Sequence, residues 1–181
     1  MLAEQEDNKA QAKLALEPSD LARLQWEQFE HDEKYHREIA RLTVQDRLKH
    51  MALHFAKYSG SLAANPNESE LRRLVTDIFV IALSSANILN IRLADRHNEF
   101  SDETQVDLPT AVAVSAGHMA AACEKMDHLE AFPFREKIDE AVMELLKTTM
   151  TFSSTQGWDL TEMVHERLQP VKEKSAFYGY L

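Results

Sequence analysis

Asp77 is the residue whose surroundings most demand an explanation. It stands in Val75–Thr76–Asp77–Ile78–Phe79–Val80–Ile81, within the most apolar stretch of the chain. A carboxylate placed there costs free energy unless it is paired, hydrogen-bonded or bound to a cation. Two roles satisfy that condition. Asp77 is a Mg²⁺ ligand facing a cleft between helices, or it is an acid paired with His50, His54 or an arginine inside a bundle. His50 and His54 lie one helical turn apart, and Lys57 continues their polar edge. Such a pair either contacts a metal or a substrate, or it lines a polar seam between helices. No carboxylate stands between the two histidines, as a metalloprotease motif requires. Glu124 and Asp127 are three apart, and Glu136, Asp139, Glu140 and Glu144 crowd one later segment. Residues three or four apart share a helix face, so two facing helices could present these acids to one divalent cation. The same acids also suit a solvated face, with some of them in a favourable first helical turn.

Other chemistries are excluded more firmly. No serine sits in a glycine elbow, and the single cysteine, Cys123, has no glycine-flanked motif around it. The Glu-x-x-His spacing of a ferritin-like di-iron bundle is absent at the required helix pairs. Only 4 of 181 residues are glycine, against ordinary usage of about 7 %, so a phosphate loop or a dinucleotide fingerprint lacks its raw material. With 20 basic and 30 acidic residues the formal net charge is −10, and no basic stripe offsets it, which argues against DNA or RNA as the partner. One cysteine permits no internal disulfide. Met1 to Ala15 has no apolar core of the kind a signal peptide carries. The run Ile78 to Leu83 is too short to span a membrane. The expectation is a soluble, cytoplasmic protein.

The elements that must position these groups are helices. Between the glycines and prolines lie segments of helical length, and none alternates with a two-residue period. Ser19 or Asp20 caps a first helix that continues to Ala40, with an almost wholly polar middle from Glu30 to Arg37 that must be exposed or packed on a partner. Thr43, with Asp46 three residues on, caps the next helix. There Val44, Leu48, Met51, Phe55, Tyr58 and Leu62 form one apolar stripe. A second helix spans Glu68 to Asn90 and is apolar nearly all round, which makes it central. Pro109 to about Glu130 and Phe134 to about Thr155 form another pair, and Asp159 to Val171 makes a last amphipathic helix. The fold class is therefore all-α: a helical bundle of two antiparallel helix pairs plus N- and C-terminal helices. Residues 1–18 are expected as a polar arm, 19–175 as one domain, and 176–181 as an aromatic tail. His50–Met51–Ala52 and His118–Met119–Ala120 open the two pairs, 43 and 42 residues before Leu93 and Leu160. An internal duplication explains that spacing, and two hairpins of similar length reach it without one.

This arrangement, closing on Gly157–Trp158–Asp159–Leu160 and an acid-rich, basic-ended helix to Leu168, resembles the MazG-type all-α nucleoside-triphosphate pyrophosphatases. The likeness covers roughly residues 44–170. That family uses two acids three apart on one helix and a Glu-x-x-Asp on the next. They hold Mg²⁺, which neutralises the triphosphate and activates a water for attack between the α and β phosphorus atoms. In the first hairpin these positions fall on His54 and Lys57, then on Leu74 and Asp77, so Asp77 alone carries over. In the second hairpin Glu124–x–x–Asp127 and Glu136–x–x–Asp139 match better. The resemblance implies Mg²⁺-dependent hydrolysis of a nucleoside triphosphate to monophosphate and pyrophosphate. Asp77, Glu124, Asp127 and Glu136 would hold the metal. Asp77, Glu136 and Glu140 would carry the catalysis, with His54, Lys57 and Arg73 on phosphate. It also implies a homo-oligomer, a dimer or a tetramer. The alternative is a degenerate member that binds a nucleotide or a protein without turnover. In an enzyme the carboxylates converge within about 5 Å around a cleft; in a binding module they point apart or pair internally.

Overall fold

The computed structural model describes residues 16–100 and 107–174, and it is all-α, with no strand among them. The expected arm and aromatic tail lie almost wholly outside these residues. Helix α1 spans Pro18–Tyr35 and a single turn, α2, spans Arg37–Ala40. The long helices are α3 (Val44–Ala63), α4 (Glu68–Ile88), α5 (Leu108–Asp127) and α6 (Phe134–Thr155), followed by α7 (Leu160–Glu173). A 3-10 segment, Leu93–Phe100, lies in the connection between α4 and α5.

Local chemistry fixes the helix starts. Thr43 Oγ1 accepts from the Asp46 amide at 3.1 Å, the cap the sequence predicts for α3. Asn67 and Glu70 close a reciprocal capping box at the start of α4. Asp159 takes the Glu162 amide at 3.0 Å to open α7. Gly157 ends α6 at φ 70°, a conformation glycine enters without a Cβ penalty. The end of α5 puts Leu129 in the same region, at φ 55°.

The two hairpins, α3/α4 and α5/α6, pack side by side as a four-helix core. Gln45 and Lys49 at the start of α3 bond Asp127 at the end of α5, so α3 and α5 run antiparallel. Arg135 at the start of α6 donates to the Leu89 carbonyl just past α4, so that pair is antiparallel too. Helices α4 and α5 are therefore diagonal and parallel, and the connection carrying the 3-10 segment must travel the length of the bundle. Helix α4 is the centre: every residue from Leu74 to Val80 is buried, as is every residue from Ala82 to Ala86. On the α3 stripe Leu48, Met51, Phe55, Tyr58 and Leu62 are buried, whereas Val44, at the first position, is 56 % exposed because it precedes the packed region.

Helix α1 differs from the expectation in its ends. Glu17 rather than Ser19 or Asp20 provides the cap, in a box with Asp20, and Pro18 takes the first helical position. The helix stops at Tyr35 because His36 leaves the helical region, at φ −130° and ψ 42°. Its polar middle packs against the bundle through hydrogen bonds. Gln28 Nε2 donates to Ser84 Oγ at 3.1 Å and to Asp32 Oδ1 at 2.8 Å, and Ser84 Oγ donates to Asp32 Oδ2 at 2.7 Å. Asn87 donates to the Gln25 carbonyl, and the Gln25 side chain bonds both Ile91 and Leu93 backbone.

Candidate functional site

Asp77 lies in the middle of α4, 7 % exposed, where the apolar surroundings make a lone carboxylate expensive. Its charge is met by arginines. Arg167, on α7, donates through Nε at 2.6 Å and through Nη2 at 3.5 Å. Arg73, one turn earlier on α4, reaches Oδ2 at 3.1 Å. Both carboxyl oxygens are thus engaged, and the pair joins α7 to the central helix. Arg72 with Glu166 and His165 with Glu27 add outer contacts to the same junction.

The remaining predicted ligands stand in separate places. Asp127 is bonded to Lys49 and Gln45, which holds its carboxyl below the usual range. Glu124 faces His128 at 3.6 Å. Glu136 is exposed in the first turn of α6. Glu140 pairs with Lys137 at 2.7 Å, and Asp139 with Arg96 of the 3-10 segment. Among the described residues no group of three or more His, Cys, Asp or Glu side chains could hold a metal ion. The donor set that Mg²⁺ would require is not brought together: Asp77, Asp127, Asp139 and Glu140 each sit beside a different cation.

His54 and Lys57 do meet. Lys57 Nζ lies 3.3 Å from His54 Nδ1, Tyr58 Oη lies 3.2 Å from the same nitrogen, and His54 Nε2 is 3.1 Å from His50 Nε2. Burial, with Lys57 and His50 beside it, pushes His54 down to about 4. Burial also pushes the Tyr58 hydroxyl well above its ordinary range, and Asp77 adds to that. Arg73 belongs to the Asp77 cluster instead.

A cleft enclosing about 90 Å³ and open to solvent separates α1 and α2 from α3 and α4. The enclosed part is smaller than the roughly 300–1,000 Å³ of ordinary small-molecule sites, so anything larger than one small group extends into solvent. Asp32, His36, Arg47, His50, His54 and Ser84 supply its polar groups, while Ile39, Met51 and Ile81 supply apolar wall. Burial pushes the Asp32 carboxyl up, against the opposing pull of its bonds to Ser84 and Gln28 and of the nearby His36 and Arg47 charges. Arg47 Nε is buried without a hydrogen-bond partner among the described residues. Sequence reasoning found His50 and His54 but missed Asp32, His36, Arg47 and Ser84. The available signal was a serine in an otherwise apolar central helix, and polar residues at Gln25, Gln28 and Asp32 sharing one face of α1. No helix among the described residues is long and apolar enough to cross a membrane. The chain matches no family model, no curated protein and no solved structure.

Proposed function

We propose that this chain is a MazG-like helical module that binds a nucleotide in the cleft between α1, α2, α3 and α4 without hydrolysing it. One observation carries the choice of the non-hydrolytic alternative: both oxygens of Asp77, the acid that the family pattern retains, are bonded to Arg73 and Arg167. A carboxylate held between two guanidinium groups already has its charge met, and displacing an arginine to admit Mg²⁺ would leave a buried charge mispaired. The acids of the second hairpin pair with Lys49, Lys137, His128 and Arg96 rather than converging. The cleft offers groups for the charged and polar parts of a nucleotide without a metal: an arginine, three imidazoles, an acid and some apolar wall. The same resemblance carries a dimer or tetramer, the composition suits a cytoplasmic location, and Leu53 and Val114, exposed on α3 and α5, are apolar side chains such an assembly would cover.

Calorimetric titration with nucleoside mono- and triphosphates, first in EDTA and then in Mg²⁺, with pyrophosphate measured in the same samples, tests the proposal. Binding that survives EDTA, without pyrophosphate release, is the expected result. Release of pyrophosphate that requires Mg²⁺ and is lost in Asp77→Ala would restore the hydrolase. Absence of nucleotide binding in either buffer would leave assembly with a protein as the role.

A further inference from the structure

We infer that Arg47, His50 and His54 form a metal-independent subsite for a single phosphate group, so that the cleft takes a phosphomonoester rather than a magnesium-bound triphosphate. The inference rests on the reading of this cleft as the nucleotide site. Arg47 belongs to the opening turns of α3, and its Nε is buried with no hydrogen-bond partner among the described residues. Buried donors in folded proteins are nearly always satisfied, and an unpaired charged donor is among the costliest exceptions. Asp32, the acid of the same lining, gives it no hydrogen bond: its oxygens accept from Ser84 Oγ at 2.7 Å and from Gln28 Nε2 at 2.8 Å. A guanidinium presents a planar fork of donors, and the acceptor that fits it is an anion with two or more oxygens.

His50 and His54 line the same cleft, with their Nε2 atoms 3.1 Å apart. At that distance one Nε2 donates to the other, so the two rings are held together at the cleft wall. Asp32 stands in the same lining as Arg47, so the lining offers one guanidinium rather than the several cations that a metal-free triphosphate would require. Ser84 is committed to Asp32 and Gln28, which leaves Arg47 as the fixed charge of the subsite.

The test is calorimetry in EDTA on the full chain with inorganic phosphate, acetate, a nucleoside and its monophosphate, repeated in Arg47→Gln and Arg47→Lys. The subsite predicts that phosphate binds and acetate binds more weakly. It also predicts that the monophosphate exceeds the nucleoside, and that Arg47→Gln loses about tenfold or more in monophosphate affinity. Arg47→Lys should keep part of it, as a point charge without the fork. Undiminished monophosphate binding in Arg47→Gln would overturn the subsite while leaving nucleotide binding intact. Arg47-dependent phosphate binding, with the monophosphate no tighter than phosphate alone, would keep the subsite and overturn the nucleotide. No phosphate binding to the unaltered chain overturns it outright. Should Arg47→Gln fail to fold, phenylglyoxal modification of the unaltered chain gives the same decision. Protection of Arg47 by phosphate supports the subsite, and equal modification with and without phosphate refutes it.

Discussion

Replacing Arg167 with methionine keeps much of the aliphatic packing of α7 on α4 while removing the guanidinium that engages both oxygens of Asp77. Breaking a buried pair by deleting one member ordinarily costs about 3–5 kcal/mol, because the surviving charge is stranded. Two features lower that figure here. Arg73 remains on Oδ2 at 3.1 Å, and the Arg167 side chain is 39 % exposed, so water already screens part of the attraction. About 2 kcal/mol is then the expected loss, equivalent to a fall of about 4–8 °C in Tm for a domain of this size. The double variant Asp77→Leu with Arg167→Met removes both charges and should recover most of the loss, whereas Asp77→Leu alone strands Arg167 at the protein surface and costs less than Arg167→Met. Urea unfolding followed by helical circular dichroism measures all four corners of the cycle. A loss below about 0.5 kcal/mol in Arg167→Met, with coupling no larger than the error of about 0.3 kcal/mol, would refute the idea that Asp77 is a structural clamp. A Mg²⁺ titration of Arg167→Met supplies a second check. If freeing Asp77 creates magnesium binding that the parent chain lacks, the arginine is what suppresses the metal site.

Three other perturbations test separate parts of the structure. Burial holds His31 and His54 down to about 4, from the usual 6.5, with His36 and Lys172 contributing at His31 and Lys57 and His50 at His54. Between those values the unfolded chain binds protons that the folded chain does not. Stability is therefore full above about 6.5 and falls as pH drops towards about 4. Urea midpoints across that window should slope downward, less steeply in His31→Gln and in His54→Gln; coincident profiles would contradict it. Phe79 is fully buried on the central helix, and Phe79→Ala should cost about 4 kcal/mol by denaturant unfolding; a loss under about 1 kcal/mol would mean the core is not built around α4. Leu129 is 90 % exposed at φ 55°, so Leu129→Gly relieves a left-handed conformation without sacrificing packing. Its Tm should rise by about 2–3 °C, and a fall would show that the leucine is held by something other than the turn.

The helices themselves were legible because their signals are local. Thr43 with Asp46 marks where α3 begins, Phe134 to Thr155 reads as one helix and is one, and the apolar run around Ile78 announces the central position of α4. The break at His36 was not legible, since nothing near it is a glycine or proline and the chain leaves the helix in tertiary context. Nor was the diagonal path from α4 to α5, because hydrophobic periodicity records which face is buried and not which helix buries it. The candidate site divides the same way. The anomaly of Asp77 is visible from its neighbours in sequence, but its partner Arg167 is 90 residues away, on a helix whose approach no local pattern encodes. Arg47 stayed hidden for the opposite reason: an arginine on an amphipathic helix looks ordinary until its Nε is seen buried without a partner.

The seam between α1 and α4 fixes position in a way an oily interface would not. Apolar side chains tolerate sliding with gradual loss, while Gln28, Asp32 and Ser84 bond one another only in one alignment, as do Asn87 and Gln25. Advancing α1 by one turn would leave several of these groups without partners, at a cost of about 1–3 kcal/mol each. The helix is thus indexed like a key in a lock with a single notch. Since Asp32 and Ser84 belong both to that seam and to the cleft wall, and the Asn87–Gln25 bond repeats the alignment two turns further along, the width of the cleft is set by the same hydrogen-bond geometry that fixes the helix.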